Sequence, residues 1–206
     1  MRNKVIENMT ISAILIAVIA LMSFIPYVGY ITIPGTPISI CTIHIVVILA
    51  ALLFGWKQGL VAGLAFGLLS LIMAATMPKA PSDTLFINPL ISVFPRALFG
   101  LVAGLLFGAA KKIKNIGGRA TLYVVISVFA TFLHTCLVLL MLWVFNRESF
   151  GDPFLFIMSV LFTVNGLIEI VSAAVLVPTI AIPVGHAKQK YNVYAAKEEE
   201  IVEAAE

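Results

Sequence analysis

The stretch Ser92-Val-Phe-Pro-Arg-Ala-Leu-Phe-Gly100 sets Arg96 inside an apolar run that extends from Ile87 to Ala110. A run of that length can cross a bilayer, and a guanidinium within it costs at least about 2.5–3.5 kcal/mol on insertion scales. Two kinds of chemistry would justify the expense. In one, Arg96 snorkels to the interface or caps carbonyls in the turn made by Pro95. In the other, it lines a water-filled pocket and binds an anionic solute, its planar fork matched to a carboxylate. We favour the second.

Other polar side chains share the apolar runs: His44, Asn88, His134, Asn165 and Glu169. For His44 alone, a satisfied, hydrogen-bonded core histidine is a safer reading than a ligand contact. His134 and Asn165 either bond each other or face a solute. Glu169, one helical turn after Asn165, reads as a buried hydrogen-bonded carboxyl rather than a proton-coupling acid. Catalysis finds little support. Cys41 and Ser92 are potential nucleophiles, but neither has a base at a recognisable spacing. Cys41-Thr-Ile-His44 offers two metal ligands with no second pair, so no metal is expected, and no cofactor either. No G-x-x-x-x-G-K-[ST] loop occurs, so the chain does not hydrolyse ATP.

The elements that must position these groups follow from composition. The 206 residues are 61% hydrophobic and 11% charged, with a mean hydropathy of +1.09, far outside the soluble range. The net charge of +3 comes from residues scattered between apolar runs, not from a patch that would bind nucleic acid. Cys41 and Cys136 both lie in apolar runs and read as buried free thiols. The basic, apolar N-terminus has no clear cleavage site and reads as a retained span.

Six apolar segments run roughly over 9–26, 39–54, 58–75, 89–110, 120–145 and 153–182. The expected fold is an all-α integral membrane protein, a six-transmembrane-helix bundle over residues 1–183 with a polar cytoplasmic tail over 184–206. Arg2, Lys4, Lys57, Lys111, Lys112, Lys114, Arg119, Lys188, Lys190 and Lys197 fall on one side and only Lys79 and Arg147 on the other. That bias places both termini in the cytoplasm. From the helical rise, Arg96 lies about 10 Å below the outer surface, His44 about 8 Å, His134 and Asn165 about 18 Å, and Glu169 about 24 Å. Asn88, Asn146 and Trp143 lie near that surface. A direct Arg96–Glu169 ion pair then requires strong tilting.

Small residues recur at four-residue spacing. Gly55, Gly59, Gly63 and Gly67, then Gly100, Gly104 and Gly108, clear helix faces for close packing inside the bundle. Ala13, Ala17 and Ala20 make a similar stripe in the first span.

Six short spans in about 200 residues, a Pro/Gly-rich first outer loop "IPYVGYITIPGTPISI" and the phrase "HIVVILAALLFGWKQGLVAGLAFGLLSLI" resemble the substrate-binding S components of energy-coupling factor (ECF) vitamin transporters. The resemblance covers about Met9 to Pro183. It implies a multi-pass protein of the bacterial cytoplasmic membrane that binds a vitamin and catalyses nothing itself. A transmembrane coupling (T) subunit and two ATPase (A) subunits would be its partners. An alanine-xxx-alanine pair docks the coupling subunit in that family, and Ala13 and Ala17 match it. The outer loop between the first two spans and the loop near Asp83 would close over the vitamin.

The segments "GYITIPGTPISICTIHIVVILAALLFG" and "SDTLFINPLISVFPRALFGLVAG" look most like the pantothenate branch. By that resemblance Arg96 takes the carboxylate, and His44 and Asn88 serve the hydroxyls and amide, with Asn165 and His134 as further contacts. Folate, cobalamin, riboflavin or a queuosine precursor remain open as solutes. A stand-alone proton-coupled secondary transporter is the alternative outside the family; paired broken helices would be its sign, and span two has no clear counterpart.

Overall fold

The computed structural model describes residues 4–25, 27–31, 40–78, 81–111, 113, 116–161 and 166–184. The tail over 185–206, most of the first outer loop, Lys79 and Asn165 lie outside the described residues.

The described chain is almost wholly helical: α1 (Lys4–Phe24), α2 (Ile43–Phe54), α3 (Trp56–Thr76), α4 (Pro89–Ser92), α5 (Phe94–Ala110), α6 (Ile116–Phe145), α7 (Arg147–Phe150) and α8 (Pro153–Leu161), then α9 (Gly166–Val184). A 3-10 segment, Pro81–Ile87, precedes α4. Five stretches are long and apolar enough to cross a membrane: α1, α3, α4 with α5, the Ala120–Phe145 part of α6, and α9.

The second segment departs from expectation. A short antiparallel hairpin of β1 (Tyr30–Ile31) and β2 (Ile40–Cys41) pairs Tyr30 with Cys41 and Ile31 with Ile40. The helix starts only at Ile43. Its 12 residues rise about 18 Å, short of the roughly 30 Å hydrocarbon core. β-branched residues and the Thr42 contacts explain the late start. Thr42 N–H donates to Gly29 O (3.0 Å) and its hydroxyl to Val28 O (2.5 Å), which fastens the returning strand before the helix turns. The first helix is already formed at Lys4, ahead of the apolar segment that opens at Met9. In the sixth segment the described residues are helical, as α8 and α9, and 162–165 between them lie outside the description.

Helices α3 and α5 form the centre, with α2 and α6 against them and α1 on the flank of α3. The glycines explain the contact. A Cβ on Gly59 would stand 2.5 Å from Gly100 O and one on Gly67 2.6 Å from Val93 Cα, while one on Gly63 would overlap Arg96 O. Backbone therefore meets backbone, as small residues permit in membranes. Gly55 and Gly108 touch nothing in this way. Gly55 has a different reason: its φ of 92° lets α2 turn into α3. The core fills with Ile43, Val47, Ile48, Phe66, Phe99 and Phe107, joined by Ala173 and Val177 of α9.

Candidate functional site

Arg96 is placed by a break in its helix. Pro95 has no N–H, so the carbonyl four residues earlier, Ile91 O, loses its helical donor. Arg96 Nη1 supplies one instead, donating to Ile91 O (3.1 Å) and to Ser92 O (2.8 Å). Ser92 is itself fully buried, and its hydroxyl donates to Phe86 O, drawing the 3-10 segment over the arginine. The guanidinium carbon then lies 4.9 Å from the Phe66 ring centre and 5.2 Å from that of Phe86. Both are favourable cation–π distances in a dry site. Arg96 is only 5% exposed. Its Nε has no hydrogen-bond partner among the described residues. Carbonyl capping is thus real and uses one arm of the fork. The Glu169 carboxylate lies near enough to act on this charge but makes no hydrogen bond to the guanidinium among the described residues.

A ring cluster adjoins this cation. His44 and His134 stack at 5.9 Å with 12° between their planes. His134 tilts against Phe66 (5.7 Å) and Phe99 (5.0 Å). His44 is fully buried and His134 nearly so. Both ring nitrogens of His134, and Nε2 of His44, lack hydrogen-bond partners among the described residues. Unpaired buried polar atoms are costly unless something transient satisfies them. With Arg96 Nε there are four such nitrogens, three on side chains against Phe66 and the fourth on the His44 ring stacked on His134.

The third wall is the joint between β2 and α2. Glu169, on α9 and 8% exposed, accepts a hydrogen bond from Cys41 N–H at 2.7 Å. The Cys41 carbonyl meets His44 Nδ1, also at 2.7 Å. Non-helical backbone at membrane depth is tolerated only when buried in protein or lining a cavity. The hairpin end meets that condition by borrowing an acceptor from α9.

The structure therefore brings together Arg96, His44 and His134. The Oδ1 of Asn88 accepts from Leu90 N–H (3.0 Å) and caps α4. Asn146 donates to Leu142 O at the end of α6. Asn165 lies outside the described residues. Trp143 donates to Gly151 O (2.8 Å) beneath the Arg147 guanidinium, 4.8 Å away, as an interfacial anchor would. The depth estimates need one correction. His44 and His134 are in contact, not about 10 Å apart in depth. The count for His44 began at Ser39, whereas helix begins at Ile43. Phe66, Phe86 and Phe99 were missed because nothing in an apolar run distinguishes a ring that faces a cation. Glu169 is the hydrogen-bonded carboxyl expected. Both cysteines are free but half-buried rather than buried.

Away from this cluster, α1 packs through Leu15, Ile19 and Ser23, with Ser12 donating to Gln58 Oε1 (2.8 Å) on α3. Ala13 and Ala17 are exposed on the opposite face and Ala20 is half-buried.

The family described as "ECF transporter, substrate-specific component" matches residues 7–181. A pantothenate transporter PanT of Leuconostoc mesenteroides is 32% identical over 121 residues, which are 58% of this chain and 59% of that protein. This chain thus spans about three fifths of the length of that relative. A pantothenic acid transporter PanT of Lactococcus lactis is 24% identical over 196 residues, 87% of this chain and 94% of that protein. The chain is a multi-pass membrane protein and belongs to the family of substrate-specific components of ECF transporters.

Proposed function

We propose that this protein captures pantothenate in an outward-facing pocket and delivers it into the cell as the S component of an ATP-driven ECF transporter. The observation that carries the reading is the seat of Arg96. It is a desolvated guanidinium with one arm spent on carbonyls, a partnerless Nε, and no carboxylate hydrogen-bonded to it among the described residues, Glu169 acting on it only from a distance. Pantothenate supplies the missing charge as a carboxylate, and its hydroxyls and amide suit the histidine nitrogens beside it. The names of the two relatives support the same solute. The protein itself has no catalytic step. ATP hydrolysis belongs to two A subunits, coupled through a T subunit that docks on Ala13, Ala17 and Ala20.

In this reading six segments are embedded, α2 with its hairpin being the second and α8 with α9 the sixth. The ten-to-two bias of basic residues puts both termini in the cytoplasm. The Arg96 end of the bundle then faces outward.

The test is calorimetric titration of protein purified from pantothenate-free cells, with riboflavin, folate, cobalamin and a queuosine precursor in parallel. Heat with pantothenate alone is the expected result. Heat with another of these solutes and none with pantothenate overturns the substrate.

A further inference from the structure

Glu169 is a buried acid with no place in solute recognition as described so far. It lies on α9, 128 residues along the chain from the backbone it touches. The backbone of Cys41 is held at both ends: Glu169 takes its N–H, and His44 Nδ1 takes its C=O. A carbonyl only accepts, so this contact is a hydrogen bond only when the His44 proton sits on Nδ1. The ring so fixed stacks on His134, which leans on Phe66, the ring under Arg96.

The geometry points to Glu169 as a positioning residue of the binding pocket: by anchoring Cys41 it fixes the tautomer and plane of His44, and with them the ring wall beside Arg96. The inference rests on the reading that this pocket takes the solute. The Glu169 carboxylate hydrogen-bonds none of the four partnerless nitrogens and acts on His44 through Cys41, while the Glu169 backbone carbonyl also lies beside the His44 ring. The requirement is an acceptor, not a charge. An apolar residue at 169 would strand the Cys41 N–H inside the bundle, and the hairpin end would shift to find another partner. The carbonyl that selects the His44 tautomer would move with it.

Two measurements on the full-length protein in detergent test this. The first needs no solute. Imidazole nitrogen NMR of histidine-labelled protein reads each tautomer, and the three histidines are few enough for His44→Phe to assign the signal. Wild type and Glu169→Gln, whose amide oxygen still accepts, should carry the His44 proton on Nδ1; Glu169→Leu should show mixed tautomers. The second is pantothenate affinity. Glu169→Gln should bind within about threefold of wild type and Glu169→Leu about tenfold or more weakly. That loss should shrink when His44 is already Phe. Should Glu169→Leu fail to fold, Cys41→Pro removes the donor with Glu169 intact and should repeat both effects. An unchanged tautomer in Glu169→Leu, or an equal affinity loss with and without His44, overturns the proposal. A wild type that binds no pantothenate overturns the substrate instead, and the tautomers alone then decide the role of Glu169.

Discussion

Gly63 of α3 lies directly against the carbonyl of Arg96 on α5, so the residue that lets the two central helices touch also seats the buried cation. Gly59 against Gly100 and Gly67 against Val93 extend the same seam on either side. Helix packing and the seat of Arg96 are therefore coupled at one point. Any change that separates α3 from α5 also moves Arg96 off the Phe66 ring.

A Gly63→Ala substitution should separate them. The new methyl would overlap Arg96 O and stand 3.0 Å from Arg96 C and 3.2 Å from Ala97 Cα, all backbone atoms that cannot rotate away. Overpacking of this kind costs about 1–3 kcal/mol or more. Thermal unfolding should show the loss, and pantothenate affinity should fall with it. Gly108→Ala is the control, because nothing lies within 4 Å of its Cβ position. It should be neutral or gain up to about 1 kcal/mol from helix propensity. Equal effects from the two substitutions would remove the close-packing argument.

Docking makes the opposite demand of a substitution. Ala13 and Ala17 are exposed, on the far side of α1 from the seam of Leu15, Ile19 and Ser23. Ala13→Trp should leave pantothenate binding by the isolated protein unchanged. Recovery of the T and A subunits by co-purification should drop about tenfold or more, since bulk prevents close helix approach. Loss of binding with assembly intact would place this face in the pocket and not at the interface.

The parts of the site legible in sequence were those with an energetic signature in a single residue. Arg96 announced itself because a guanidinium in an apolar run is costly, and Pro95 beside it named the carbonyls it would cap. The glycine ladders likewise gave the α3–α5 seam, since four-residue spacing puts small residues on one face. What stayed hidden depended on depth and direction. The hairpin before α2 made residue counting from Ser39 misplace His44, and so its contact with His134 was lost. The Glu169–Cys41 bond joins segments 128 residues apart through a backbone N–H, which no side-chain pattern encodes. The helix cap that Asn88 makes before Pro89 was likewise not read from the sequence, although Asn ahead of Pro is a common start signal.

Topology can be checked at two described, exposed positions. With Cys41 and Cys136 replaced by alanine, a cysteine at Thr84 should react with an impermeant thiol reagent applied to intact cells. One at Ile113 should react only after the membrane is opened. The charge bias of the loops predicts this sidedness. Labelling in the reverse order would turn the Arg96 pocket toward the cytoplasm and remove the capture step from the proposal.

Arg96 provides the most direct test of the solute. Replacing it with Lys keeps the charge and a donor for Ile91 O but loses the planar fork and much of the contact with Phe66 and Phe86. Replacing it with Met loses the charge as well. Removing one partner of a buried, hydrogen-bonded charge pair costs about 2–5 kcal/mol, roughly 30-fold or more in affinity. Arg96→Lys should therefore bind at an intermediate level and Arg96→Met hardly at all. The freed Ile91 carbonyl will also lower stability by about 1 kcal/mol, so folding must be measured beside binding to keep the two effects apart. A pantothenate analogue with an amide in place of the carboxylate separates direct contact from a general loss of order. It should bind wild type poorly and lose little more on Arg96→Met, a non-additivity that only a shared contact produces. If acid and amide bind wild type equally, Arg96 serves the proline break alone, and the carboxylate must be sought elsewhere.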